Sequence, residues 1–232
     1  MDFTKENFLE LFGALMGDGC ISEFISNNKK FKVIRLDGHS ENDYNYFDAV
    51  LKDLIFEVFD KKVEVKFRSD SKSIHIYFQS KKIFDFLESI GFPVGVKDDL
   101  KIPFLISGLG WDKIKYLIRG LIDTDGCVHF TKNNSKINWY PSIELRSYSK
   151  ILLDQVFDIL TRKGFKAYLR GTHLIFYGKM NLMKWMSDIG FKNLNHISKI
   201  LFWSKFGYCP TEVELNINER LKKLKVNLGP VA

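Results

Sequence analysis

Apolar residues recur at helical spacing in two separate stretches of the chain. Phe8, Leu9, Leu11, Phe12 and Leu15 mark a helix over residues 4–18, with Thr4 as its candidate N-cap. Ile114, Leu117, Ile118, Leu121 and Ile122 mark another over residues 112–125. After the first, the pattern predicts strands at 20–26 and 31–38 joined by an Asn27-Asn28-Lys29-Lys30 turn. A helix follows at 43–59, with Tyr46, Phe47, Val50, Leu51, Leu54, Ile55 and Val58 on its apolar face. Val63–Arg68 and Ser73–Gln79 alternate as strands, and Lys82–Ile90 is a short helix ended by Gly91. Residues 92–110 are rich in Pro and Gly and read as a linker.

The same order then returns. Strands near 127–132 and 140–147, a helix at 149–163, strands near 166–170 and 173–177 and a helix at 179–189 follow the second motif helix. The letters repeat too: Ile83 to Phe92 parallels Leu182 to Phe191, and Ser73 to Phe78 parallels Gly171 to Phe176. A period near 100 residues is too long for a solenoid. It indicates an α+β chain of two αββαββα halves related by a pseudo-two-fold axis. The expected units are an N-terminal half (1–92), a linker (93–111), a C-terminal half (112–206) and an extension (207–232). The extension carries a helix at 211–225, with Thr211 and Glu214 as a capping box. Lys222, Lys223 and Lys225 at its end suit a solvated helix terminus better than phosphate contacts.

The two motif helices end alike. Leu11-Phe12-Gly13-Ala14-Leu15-Met16-Gly17-Asp18-Gly19 and Ile118-Arg119-Gly120-Leu121-Ile122-Asp123-Thr124-Asp125-Gly126 each place glycine third, a small residue four later, and Asp-Gly last. Gly19 and Gly126 suit a left-handed position past a helix end. Gly13, Gly17 and Gly120 lie inside helices, where each costs about 1 kcal/mol relative to alanine. A small residue every fourth position leaves a flat stripe for another backbone, and the two stripes fit each other. Side-by-side packing would bring Asp18 and Asp125 together at two negative helix ends. Paired carboxylates there call for a divalent cation, and Mg²⁺ is held by one or two carboxylates plus substrate phosphates.

Both stretches resemble the LAGLIDADG motif of homing endonucleases, in the monomeric form with two motifs. Aligned to it, Gly13 and Gly120 take the interface glycine, Asp18 and Asp125 the metal-binding acid, and Gly19 and Gly126 the last position. Met16 departs from the pattern where the motif has its first acid, while the second copy keeps Asp123; Arg119 replaces a small residue. The resemblance covers roughly residues 4–206. It implies a central interface of the motif helices, including Gly13, Gly17, Gly120 and Thr124, and a saddle of two antiparallel sheets along duplex DNA. It implies Mg²⁺, with Mn²⁺ or Ca²⁺ able to substitute in binding, held by Asp18, Asp125 and the carbonyls of Gly17 and Thr124. It implies staggered double-strand cleavage with 3′ overhangs at a long pseudo-palindromic target, by a monomer of the intron-encoded type. A basic residue near the scissile phosphate is part of that pattern. Lys101 and Lys199 match it, although either reads equally as a surface lysine.

Strand alternation separates two jobs. Val63, Val65, Phe67, Ile74, Ile76, Phe78, Ile143, Leu145, Ala167 and Leu169 are expected inward. Arg35, Glu64, Lys66, Arg68, His75, Tyr77, Gln79, Ser142, Glu144, Arg146, Lys166, Tyr168 and Arg170 are expected outward. Such side chains donate to and accept from base edges and phosphates. The strands alone favour an ordinary solvated face; the paired motifs reverse that preference.

Composition narrows the picture without deciding it. A net charge of +7 and a pI of about 9.1 support a nucleic-acid partner modestly. No segment reads as a membrane span or a signal peptide, and nothing suggests a small-molecule substrate. Cys20, Cys127 and Cys209 lack metal-ligand spacing and fit a reduced intracellular protein, in cytoplasm or organelle matrix. The five histidines, at 39, 75, 129, 173 and 196, show no zinc spacing. An intein-embedded form is not expected, because Met1 stands where a splicing Cys or Ser would and the end is Gly229-Pro230-Val231-Ala232. The rivals to a nuclease are an RNA maturase assisting intron splicing and a catalytically silent DNA-binding regulator. Retention of both acids favours the nuclease.

Overall fold

The computed structural model describes residues 1–69, 71–132 and 139–226. Helix α1 (Glu6–Asp18) passes directly into β1 (Gly19–Ser26), which pairs with β2 (Lys29–His39). Next come α2 (Tyr44–Tyr46), a π-helical turn (Phe47–Leu51) and α3 (Lys52–Phe59), which together run without a break over 44–59. Strands β3 (Lys66–Phe67) and β4 (Ser73–Gln79) and helix α4 (Lys81–Ser89) complete the first half. The second half repeats it with α6 (Trp111–Asp125), β5 (Gly126–Thr131), β6 (Tyr140–Arg146), α7 (Lys150–Arg162), β7 (Ala167–Arg170), β8 (His173–Tyr177) and α8 (Lys179–Asp188). Both sheets are antiparallel with equivalent orders, β1-β2-β4-β3 and β5-β6-β8-β7. The expected αββαββα repeat is borne out.

The motif helices meet along their small residues. A Cβ added at Gly13 would lie 2.0 Å from the Leu117 carbonyl oxygen, and one at Gly120 would lie 2.0 Å from that of Glu10. At Gly17 it would strike the Thr124 hydroxyl at 2.1 Å. Position 13 faces 117–121 and position 17 faces 124, so the helices run parallel and both C-termini reach the same end. Around this pair one continuous core spans both halves, from Phe8, Phe12 and Phe84 to Leu145, Phe176 and Trp185.

Several local expectations are corrected. Gly19 and Gly126 are extended (φ −90°), not left-handed. Glycine is needed there because a Cβ would sit 2.6 Å from the Leu15 carbonyl oxygen, or 2.4 Å from that of Ile122, as the chain turns straight from helix to strand. Thr4 bonds Asp2 instead of capping α1, whose N-cap position is Lys5. The strand expected at 63–68 shortens to Lys66–Phe67. Phe67 lies at the sheet edge, 62% exposed and stacked on Tyr44, while Val63 and Val65 do pack against the core.

The linker is not slack. Val94 bridges Ile21, the Gly95 amide donates to the Ile21 carbonyl, and α5 (Phe104–Ser107) forms within it. The stretch after α8 folds as α9 (Leu194–Phe206), a helix that the apolar spacing did not reveal. The last helix, α10 (Ile217–Leu224), starts later than expected, on a capping box of Asn216 and Glu219. Thr211 and Glu214 close a separate turn, and Arg220 takes the Leu215 carbonyl between them. No helix among the described residues is long and apolar enough to cross a membrane.

Gly120→Ala should lower stability by about 3 kcal/mol, because backbone on both sides fixes the gap. Gly108→Ala should be near neutral, since an added Cβ there has nothing closer than 3.8 Å. Urea denaturation of both variants checks the contrast.

Candidate active site

Parallel packing of α1 and α6 leaves Asp18 and Asp125 together at their ends. Burial, then the Asp125 charge, lifts the Asp18 carboxyl well above the ordinary carboxylate range. Asp125 is open to solvent along one edge, but the crowding around it raises its carboxyl to about 6 against the pull of Lys97. Asp125 lines a groove of about 550 Å³ with Met16, Gly17, Lys97, Arg146 and Tyr148. A hollow of about 620 Å³ at the opposite end of α1 contains neither acid, so size does not choose the site.

The cation that the fold brings to the acids is Lys97. Its ammonium donates to the Met16 carbonyl at 3.0 Å and to the Gly17 carbonyl, and both aspartates attract it. Burial pushes the Lys97 amine below its ordinary value. Lys101 is exposed and, among the described residues, makes no side-chain hydrogen bond or ion pair. Lys199 is buried on α9 in another cavity, beside Cys127 and His129, and pairs with Glu212 at 2.6 Å. That pair, helped by Asn195, holds Glu212 down at about 2 although burial opposes it. Lys97 escaped the sequence reading because it lies mid-linker; the signal was Lys97 followed by Asp98 and Asp99 among apolar residues.

The donor set suits a hard divalent cation. Two carboxylates and the neighbouring carbonyls of Gly17 and Thr124 offer oxygen only, as Mg²⁺ and Ca²⁺ prefer. The Lys97 ammonium already marks one of those carbonyls as a cation position. Among the described residues no cluster of three or more His, Cys, Asp or Glu competes as a metal centre.

A buried polar layer underlies the acids. Glu10, fully buried in α1, receives the Arg119 guanidinium from α6 and the Lys192 ammonium at 3.0 Å. This gives the unusual Arg119 its place, and Glu10 was visible as an acid inside an apolar run. Asp123 accepts the Lys192 amide at 2.8 Å, and burial raises its carboxyl to about 7. Asn193 donates to the Asp123 carbonyl at 2.8 Å and, more weakly, to Asp43 of the other half.

Strand register puts most of the expected outward residues on one face of each sheet. Arg35 pairs across with Tyr77, and Lys66 with His75; Glu144 lies across from Cys127 and Ile175, and Arg146 from His173. Tyr168 and Arg170 continue that face on β7. Asp37 bridges Arg35 (2.5 Å) and Arg68 (3.0 Å), Gln79 donates to Tyr77, and Glu144 takes His173. Glu64, Arg68 and Lys166 fall outside the strands, and Asn181 clamps the Lys166 backbone.

Asp125 binds its proton more tightly folded than unfolded, so its ionisation opposes folding. Metal-free protein should lose stability as pH rises from about 4 through 6. Asp125→Asn should reduce that slope, leaving the part that Asp18 and Asp123 contribute, and gain about 1 kcal/mol at pH 8 after discounting for solvent screening. Chemical denaturation across that pH range in EDTA measures it.

Residues 112–190 match the family model described as a LAGLIDADG-like domain. No curated protein matches in sequence. Among solved structures, the I-LtrWI LAGLIDADG homing endonuclease bound to target DNA aligns with TM-score 0.60 and 11% identity, covering 95% of this chain and 96% of its own. Mesophilic variants of the homing endonuclease I-DmoI align with TM-score 0.58 and 15% identity, covering 82% and 97%. I-DmoI in complex with DNA and Mn aligns at 0.56 and 15%, covering 80% and 96%. At these identities the likeness is one of fold. The chain therefore carries a LAGLIDADG-like domain in its second half and has the two-half fold of the single-chain LAGLIDADG homing endonucleases.

Proposed function

We propose that this chain is a metal-dependent, site-specific endonuclease of double-stranded DNA that acts as a monomer. The observation that carries the reading is the pairing of Asp18 and Asp125 at the shared end of two parallel motif helices. Structures of this fold with target DNA, and of I-DmoI with Mn and with Ca, support it.

In this reading Asp18 and Asp125, with the carbonyls of Gly17 and Thr124, hold Mg²⁺. When bound, the metal supplies activation of a water and stabilisation of the leaving oxygen in an in-line displacement. Lys97 faces the same groove and offsets phosphate charge, the role that the family resemblance suggested for Lys101 and Lys199. The buried layer of Glu10, Arg119, Lys192 and Asp123 fixes the helix ends. The outward sheet residues differ between halves, Arg35, Tyr77 and Gln79 against Glu144, Tyr168 and Arg170. A pseudo-palindromic target, cut with a 3′ stagger, follows from that asymmetry and the family resemblance. The two paired acids favour this reading over a maturase or a silent regulator.

Cleavage of a randomised duplex library with Mg²⁺ tests the chemistry. Specific double-strand cuts are expected from the wild type and not from Asp18→Asn or Asp125→Asn, both of which should still bind DNA. A wild type that binds DNA or intron RNA but never cuts would move the function to one of the rivals. For recognition, Arg68→Glu and Arg146→Glu should each weaken duplex binding by about 1–3 kcal/mol at matched salt. Unchanged affinity would take the sheet faces out of the interface.

A further inference from the structure

The two motif ends are not equally supplied with positive charge. At the end of α1, the Lys97 ammonium sits on the Met16 and Gly17 carbonyls, the negative pole of the helix. At the end of α6 no lysine or arginine stands in the last turn, and among the described residues no side chain donates to the Thr124 carbonyl. The Lys97 side chain is also held close by its own backbone. Two and three residues earlier, Gly95 and Val94 are fastened to Ile21 on β1. An ammonium on so short a tether has a high effective concentration at its acceptors.

We propose that Lys97 is a built-in competitor for divalent metal: in the metal-free protein its ammonium fills the cation position at the first motif, and metal enters by displacing it. The proposal rests on the metal-site reading above. A dication and the Lys97 ammonium on the same Gly17 carbonyl would repel each other at close range, so metal bound there drives Lys97 away. Lys97 lines one groove with Asp125 and Arg146, so the displaced ammonium would stay within reach of a phosphate entering there. Lys97 thus keeps two mutually repelling carboxylates tolerable when metal is absent, and weakens metal binding until another anion draws the ammonium off.

Calorimetric titration with Ca²⁺, without DNA, tests this in the wild type, Lys97→Met, Lys97→Arg, Lys101→Met and Asp18→Asn. Lys97→Met should bind Ca²⁺ about tenfold more tightly, since a unit charge at contact distance is removed. It should also be less stable than the wild type in EDTA and show a larger Ca²⁺-induced rise in unfolding temperature. Lys97→Arg should keep the wild-type affinity, and the distant Lys101→Met should match it too. Lys97→Gln carries the same expectation as Lys97→Met and replaces it if the latter does not fold. Equal or weaker Ca²⁺ binding by the uncharged variants overturns the competitor role and leaves the metal site standing. No Ca²⁺ response from either the wild type or Lys97→Met, with Asp18→Asn indistinguishable, removes a metal site preformed without DNA and the competitor with it.

Discussion

Contact between two helix backbones governs this molecule. At Gly13 and Gly120 the chains approach so closely that an added Cβ would lie 2.0 Å from a carbonyl oxygen. Helices this close cannot rotate or slide without a clash. Their parallel alignment puts both C-termini at one end, and the direct helix-to-strand turns launch a sheet from each. The position of the acids, the symmetry of the sheets and the continuity of the core all follow from one seam of small residues.

The seam has an electrostatic cost. Two helix ends and two carboxylates concentrate negative charge where burial already disfavours it. The fold answers in layers. Lys97 contributes a positive charge at the surface of the site, and Arg119 with Lys192 offsets Glu10 beneath it. Asp123, which among the described residues has no cation in contact, is raised by burial to about 7; its carboxylate accepts the Lys192 amide and its main-chain carbonyl the Asn193 side chain.

Much of this was legible in the letters, for definite physical reasons. A glycine inside an apolar helix is unfavourable alone, so Gly13, Gly17 and Gly120 signalled a partner. Strict alternation in β4 separated outward from buried side chains, whereas on β6 Ser142, expected outward, is buried. The missed features were those set by tertiary position. Lys97 reaches the acids only because Val94 and Gly95 are pinned to β1, which no local pattern encodes. Helix α9 buries polar residues, among them His196, Ser198 and Lys199, so its apolar face is interrupted. Gly19 and Gly126 were correctly singled out for the wrong cause, because Asp-Gly after a helix reads the same whether glycine serves a left-handed turn or a tight approach.

The Glu10–Arg119 contact also makes the halves non-interchangeable. By the motif alignment, Glu10 corresponds to Leu117 and Phe12 to Arg119. Two copies of the first half joined through their motif helices would each bury Glu10 against the other's Phe12. Two copies of the second would set each Arg119 against Leu117. Either pairing strands a charge inside the seam, a defect that costs about 3–5 kcal/mol when a buried partner is missing. Glycine stripes alone would accept any of the three combinations. The ion pair admits only the mixed one, so the two halves fit each other as an unlike pair and neither can stand in for its partner.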